Sequence, residues 1–295
     1  MNVLHTDHLS KSYGARRAID DLSLELEEGT VCGFLGPNGV GKSTALRILM
    51  GLLRPSSGRA SLFGLDCWRD GLRIRADVGY LPGDLRLYPW LTARLAFRLV
   101  GRIRRRALVA PGLALAERFD LEPDVTVRTM SRGMRQKLGL ILALAGKPRL
   151  LLLDEPTSGL DPIIQDRLLT YLRELKEAAH TIFFSSHTLS EVERLCERVV
   201  ILKAGRAVAD TSLESLRSRA QRDVVLRWED SAAPEGASLP EFLELREQTP
   251  TEWRCTLCGS AATLTRWLAE QRLADFSVGP PDLERLFRSF YGGSQ

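Results

Sequence analysis

Residues 36–44 read G-P-N-G-V-G-K-S-T, set between the apolar run Val31–Leu35 and a helical pattern that follows at once. A glycine-rich turn of this spacing between a strand and a helix lets successive backbone N–H groups curl round an anion. The helix N-terminus behind it adds its positive dipole. Gly36, Pro37, Asn38, Gly39, Val40, Gly41 and Thr44 supply the turn. Lys42 is placed to reach the β- and γ-phosphates of a nucleoside triphosphate, and Ser43 to hold Mg²⁺. Such a loop needs a strand behind it and a helix ahead of it, so the chain is expected to fold around an α/β core.

Other runs extend that core. Apolar residues Leu46, Leu49, Met50 and Leu53 recur at helical spacing over 43–53, which ends before Pro55. Four leucines at 150–153 run into Asp154 and Glu155. An unbroken apolar run that ends in carboxylates reads as a buried parallel strand delivering acids to a sheet edge. Asp154 is placed to hold Mg²⁺ through water, and Glu155 to polarise the water that attacks the γ-phosphate. A third strand, 181–185, runs towards His187. Leu189, Val192, Leu195, Cys196 and Val199 then share a helical face, and 199–202 return as a strand. Alternating strands and helices over 31–205 predict a mainly parallel sheet.

Between the phosphate loop and the carboxylates, 91–145 carries helical patterns, with breaks expected at Gly101, Pro111-Gly112 and Pro123. Ser131 reads as an N-cap, and Met134, Leu138, Ile141, Leu142 and Ala145 form the stripe behind it. Ser131 with Gly133 at a helix N-terminus could also face a phosphate. After residue 210, 224–228 and Glu252–Leu257 read as strands, 261–271 and 282–291 as helices, and 231–236 as a loop.

In order and spacing these segments resemble the nucleotide-binding subunit of an ABC transporter over residues 1–210. The phosphate loop resembles that family's Walker A motif and L-L-L-L-D-E its Walker B motif. Ser158-Gly159-Leu160-Asp161 is similar to the D-loop, His187 to the switch histidine, and Tyr13 in K-S-Y-G to the aromatic on which adenine stacks. The resemblance implies a P-loop NTPase of ABC type: a mainly parallel core sheet, an antiparallel β subdomain, a helical insert at about 86–145, a linker at 211–221 and a small α+β domain at 222–295. It also implies ATP and Mg²⁺ as ligands, with Glu155, His187 and Lys42 catalytic, Ser43 and Asp154 on the metal, and Tyr13, Ser131, Gly133 and Asp161 joining the loop around nucleotide. Two such domains would pair head to tail, each lending its Ser131 segment to the other's ATP, as a homodimer or with a related ATPase.

Two positions depart from the family pattern. The signature L-S-G-G-Q stands here as M-S-R-G-M, with Arg132 for a glycine and Met134 for a glutamine. Where the family carries a glutamine that relays to the membrane partner, the chain has Gly83, followed by Asp84. The ending D-L-E-R-L-F-R-S-F-Y-G resembles export ATPases that work beside a separately encoded, polytopic permease, which implies a peripheral place on the cytoplasmic face of the membrane.

Composition leaves this reading intact. The longest apolar stretches, 138–145 and 150–153, fall short of the roughly 20 residues of a spanning helix. The N-terminus M-N-V-L-H-T-D-H is polar and acidic rather than signal-like. Five cysteines are scattered apart from Cys255 and Cys258, a pair that lacks further zinc ligands nearby and is expected to be structural. The basic run 102–106, with Arg94 and Arg98 upstream, raises the alternative of a soluble ABC-type ATPase acting on nucleic acid or the ribosome. Those soluble relatives carry two modules or a coiled coil in one chain, which this sequence lacks, so no nucleic acid is expected.

Overall fold

The computed structural model describes residues 2–228 and 239–291; the loop expected at 231–236 lies outside the described residues. The chain divides into two units, Met1–Asp210 and Thr211–Gln295.

In the first unit β1 (Asn2–Tyr13) and β2 (Arg16–Glu27) form an antiparallel hairpin. Strict alternation along β2 buries Leu22, Leu24 and Leu26 on one face. Next comes β3 (Val31–Leu35), whose five residues are all buried, as expected of a central strand covered on both faces. Behind the phosphate loop, α1 (Lys42–Leu49) starts one residue earlier than expected and stops four residues short of 53. The reason is Gly51, whose φ of 62° turns the chain left-handed and closes the helix. Both β4 (Ser57–Leu62) and β5 (Leu65–Asp66) extend the hairpin into a four-stranded sheet of order β2-β1-β4-β5, whose pairs are antiparallel.

A short helix, α2 (Gly71–Asp77), leads into β6 (Val78–Leu81). The helical insert follows as α3 (Ala93–Arg104), α4 (Val109–Arg118) and α5 (Arg132–Leu144). Two of the expected breaks do not occur. Gly101 sits inside α3, at a point where a Cβ would stand 2.7 Å from the Arg106 carbonyl, so it serves close packing rather than helix termination. Pro111 lies in the first turn of α4, where a missing N–H costs no helical bond. Pro123, between α4 and α5, falls outside any helix.

The chain then alternates β7 (Leu150–Asp154), α6 (Pro162–Glu177), β8 (Thr181–Ser186), α7 (Leu189–Leu195), β9 (Arg198–Lys203) and β10 (Arg206–Ser212). Six strands form one sheet in the order β10-β9-β3-β8-β7-β6, and β9/β3, β3/β8, β8/β7 and β7/β6 all pair in parallel. Leu46 and Leu49 of α1 pack into a buried cluster with Phe34 and Phe183, whose ring centroids stand 5.0 Å apart. At the carboxyl edge Leu35 pairs with Ser186, and Asp154 with Ser185, so the loops leaving β3, β7 and β8 emerge side by side. A parallel sheet gathers ligand-binding loops at this edge.

The second unit starts with α8 (Leu213–Arg219), a helix capped by the Ser212 hydroxyl, within the stretch expected as linker. Four strands, β11 (Arg222–Trp228), β12 (Leu243–Gln248), β13 (Glu252–Leu257) and β14 (Leu273–Val278), form an antiparallel sheet of order β12-β13-β11-β14. Between β13 and β14 runs α9 (Ala261–Leu268), and α10 (Leu283–Tyr291) ends the unit. Trp253, Cys255 and Leu257 share the inner face with Val224 and Leu226, beneath Leu264 and Leu268 of α9. All five cysteines are free thiols.

Candidate nucleotide site

Gly41 has a φ of 120°, and a Cβ there would stand 2.2 Å from the Ala18 carbonyl, so the turn at this point admits only glycine. That turn aims Lys42 back under the loop. Its ammonium, almost wholly buried, donates to the Gly36 carbonyl and, at 3.3 Å, to that of Pro37. It also stands 3.0 Å from Glu155 Oε1. Lys42, Ser43 and Thr44, with Asn38, Gly39 and Glu155, line a cavity of about 440 Å³. Tyr13, about half-exposed at the end of β1, lines the same cavity, and Lys11 sits 5.4 Å from its ring centroid.

Glu155 follows β7 with a φ of 49°, a left-handed conformation that costs a non-glycine residue about 1 kcal/mol or more. Neighbours fix it there. Its N–H donates to the Ser185 hydroxyl at 3.1 Å and the Ser185 carbonyl at 3.3 Å, while Gln136 Nε2 donates to its carbonyl at 3.3 Å. The side chain is gripped at both oxygens: Lys42 on Oε1, and His187 Nδ1 at 2.6 Å from Oε2. A carboxylate only accepts, so Nδ1 carries the proton of that bond.

Asp154, the last residue of β7, is buried and accepts from the Ser185 hydroxyl at 2.6 Å and from the Gly83 N–H at 3.2 Å. Burial, with the Asp154 charge nearby, pushes the Tyr80 phenol up to about 12. A Cβ on Gly83 would lie 2.8 Å from Asp154 Oδ2, so any other residue here would push the carboxylate aside. Asp84 accepts from Arg86 Nε and Nη2 at 3.2 and 3.1 Å.

Three of the expected nucleotide residues are elsewhere in the unit. Ser131 caps α5 by accepting from Met134 N–H at 3.2 Å. Gly133 is packed so that a Cβ would come 3.0 Å from the Gly159 carbonyl, and Asp161 caps α6 by accepting from Ile164 N–H at 3.0 Å. None of the three lines the cavity. Among the described residues no group of three or more His, Cys, Asp or Glu side chains could hold a metal on its own. Ser43 lines the cavity, whereas Asp154 does not.

Sequence reasoning passed over four residues. Arg16 donates to the Gly39 carbonyl at 3.0 Å and, with Arg47, lines the cavity. Ser185 and Gln136 hold the carboxylate strand end. Arg16, three residues beyond Tyr13 and at the start of a strand, carried some signal; Ser185 and Gln136 act across 30 and 19 positions and carried none.

Comparison with known proteins agrees with this geometry. Residues 19–158 match the family model described as ABC transporter. The chain is 30% identical over 310 residues to the linearmycin resistance ATP-binding protein LnrL of Bacillus subtilis (strain 168), covering 98% of each. It is 34% identical over 312 residues to the daunorubicin resistance ATP-binding protein DrrA2 of Streptomyces coeruleorubidus, covering 98% of this chain and 95% of that one. A solved ATP-binding subunit of an ABC transporter matches with a TM-score of 0.67 and 30% identity over 73% of this chain and 92% of that one. A dimeric ATP-binding cassette in a post-hydrolysis state, bound to ADP and Pi, matches with a TM-score of 0.65 and 25% identity over 71% of this chain and 98% of its own. The chain thus belongs to the ATP-binding subunits of ABC transporters, as an ATPase related to those of drug- and antibiotic-resistance exporters.

Proposed function

We propose that the chain drives export of a substrate through a separately encoded membrane permease, with Glu155 as the base that activates the hydrolytic water. The observation that carries this reading is the meeting of Lys42, Glu155 and His187 where β3, β7 and β8 end. Bound ATP would supply the scissile anhydride, and Mg²⁺ would offset its charge. Lys42 turns from the Gly36 and Pro37 carbonyls towards the β- and γ-phosphates, which loosens its hold on Glu155. Ser43 and Asp154 would hold the metal, and Tyr13 would stack on the base. Glu155 then accepts a proton from water. His187 reaches the γ-phosphate as a donor by releasing Glu155 or by carrying a second proton on Nε2.

Pairing head to tail with a second copy or a related ATPase fits the place of Ser131, Gly133 and Asp161 at helix N-termini away from the chain's own cavity. The cassette matched above is dimeric, which supports pairing with another ATPase. Closing on ATP and reopening after hydrolysis would move the permease between two states. Among the described residues no helix is long and apolar enough to cross a membrane. Tyr88 and Trp90, between β6 and α3, are 69% and 59% exposed and stacked with centroids 5.6 Å apart, and we assign them to the permease contact. The relatives' printed roles in antibiotic resistance favour export as the direction of transport.

Two of the basic side chains raised above are engaged by acids, Arg94 by Asp124 and Arg106 by Asp77, which weakens the case for a nucleic-acid stripe. The test is to tag the chain in its own cells, solubilise membranes in mild detergent and identify what co-purifies. A polytopic protein is expected; ribosomal proteins or nucleic acid, with the chain absent from membranes, would refute the export reading.

A further inference from the structure

The β7/β8 ladder ends at Asp154 paired with Ser185, so Glu155 and His187 both lie beyond the last paired residues. Past that point one side chain braces the two segments. Glu191, in the first turn of α7, accepts from the Thr157 hydroxyl at 2.6 Å on Oε1 and from the Ser186 hydroxyl at 2.7 Å on Oε2. Thr157 stands two residues after Glu155, and Ser186 immediately before His187. Both hydroxyls are buried. The Ser186 proton goes to the nearer carboxylate oxygen, and the same hydroxyl accepts from Thr188 N–H at 2.9 Å, which seats the start of α7 as well.

We propose that Glu191 is a positioning residue for ATP hydrolysis, holding the segments that carry Glu155 and His187 so that Nδ1 stays within 2.6 Å of Oε2. Glu191 touches neither reacting group; it acts through the two hydroxyls. Two short, charge-assisted hydrogen bonds from buried hydroxyls to one carboxylate form a stiff bridge. Glutamine at this position keeps one acceptor and offers N–H₂ to the other hydroxyl, which can rotate to accept. Alanine leaves the bridge with nothing at its centre.

The inference rests on the assignment of Glu155 and His187 above, and the experiment separates the two. Steady-state ATPase kinetics of the full chain are measured for E191A, E191Q, H187A and the double variant H187A/E191A, per folded molecule as judged by circular dichroism. For E191A, kcat is expected to fall about tenfold or more with KM for ATP within about threefold, and E191Q to recover most of the loss. In the H187A background E191A is expected to cost clearly less than in the parent, since only the Glu155 side of the brace is left to position. If the E191A and H187A losses multiply, or if E191Q is as poor as E191A, Glu191 is only a structural residue and the proposal fails. An E191A enzyme with full kcat overturns it too. If H187A itself keeps full kcat, the assignment of His187 falls, and with it the proposal that Glu191 acts by keeping His187 on Glu155.

Discussion

Removing the Ser185 hydroxyl perturbs both carboxylates through one atom. Ser185 is fully buried on β8, donates to Asp154 Oδ1 at 2.6 Å and accepts from Glu155 N–H at 3.1 Å. In Ser185→Ala the bond to a buried carboxylate is lost, which costs about 1.5–3 kcal/mol. The Glu155 N–H keeps the Ser185 carbonyl at 3.3 Å, so that side adds only about 0.5 kcal/mol. Asp154 retains the Gly83 N–H, which limits its own loss. A total near 2–3 kcal/mol corresponds to a drop of roughly 4–12 °C in the melting temperature of a unit this size. Circular dichroism melts at neutral pH would measure the drop, and phosphate release would show turnover falling as Glu155 loses one of its backbone anchors. A melting temperature within about 1 °C of the parent would refute the reasoning, since a buried charge-assisted bond cannot vanish without cost. A large drop with unchanged turnover per folded molecule would leave the stability argument standing and remove Ser185 from the positioning of Glu155.

Glu155→Gln is expected to bind ATP and lose about 10²-fold or more of its turnover, measured by phosphate release; full activity would remove Glu155 as the base. Tyr88→Ala/Trp90→Ala should keep the ATPase rate of the isolated chain within about twofold while losing the co-purifying membrane protein. Burial pushes the Cys32 and Cys67 thiols up to about 12 and that of Cys196 well above its ordinary range. At pH 8, therefore, iodoacetamide followed by peptide mass spectrometry should label Cys258, the one cysteine that is not buried, well before these three; early labelling of Cys32 would contradict the buried core. The hydrogen bond from Arg118 holds Glu174 below its ordinary carboxylate value of 4.5, so the bond between α4 and α6 stabilises above that pH and is lost as pH falls through the lowered value. Glu174→Gln should accordingly melt on the order of 1–2 °C lower at pH 7, a gap that closes on acidification below pH 4.5; a gap independent of pH would refute the assignment.

What the sequence made legible was what it writes locally. The phosphate loop is nine consecutive residues, and its demand for glycine comes from backbone geometry that needs no distant partner. The strand ending in Asp154 and Glu155 could be read because four leucines and two acids stand in a row. Contacts across the sheet were silent. Ser185 looks like an ordinary strand serine until β7 lies beside β8, and Glu191 reads as a helix N-terminal acid until Thr157 and Ser186 converge on it. Element boundaries failed where tertiary contact overrode local preference. Gly101 suits a helix interior only because Arg106 folds back on it, and β12, with L-E-L-R-E-Q, is a strand through pairing with β13 rather than through propensity.

Gly83 shows how a departure from the family's pattern becomes intelligible only in three dimensions. Read as a sequence, a glycine in the place of a glutamine is a missing side chain, with Asp84 as the nearest polar substitute. In the structure Asp84 is engaged by Arg86, and the contact to Asp154 is made by the Gly83 main-chain N–H instead. A Cβ at 83 would stand 2.8 Å from Asp154 Oδ2, so a side chain there would require the carboxylate to shift. The segment from 83 to the Tyr88 and Trp90 pair is thus tied to the carboxylate by backbone alone. A main-chain donor has no rotamers, so movement of Asp154 would be felt as displacement of the segment itself rather than as a side-chain flip. In this chain the contact between the carboxylate edge and this segment is a main-chain one, made without the side chain that the family pattern leads one to expect.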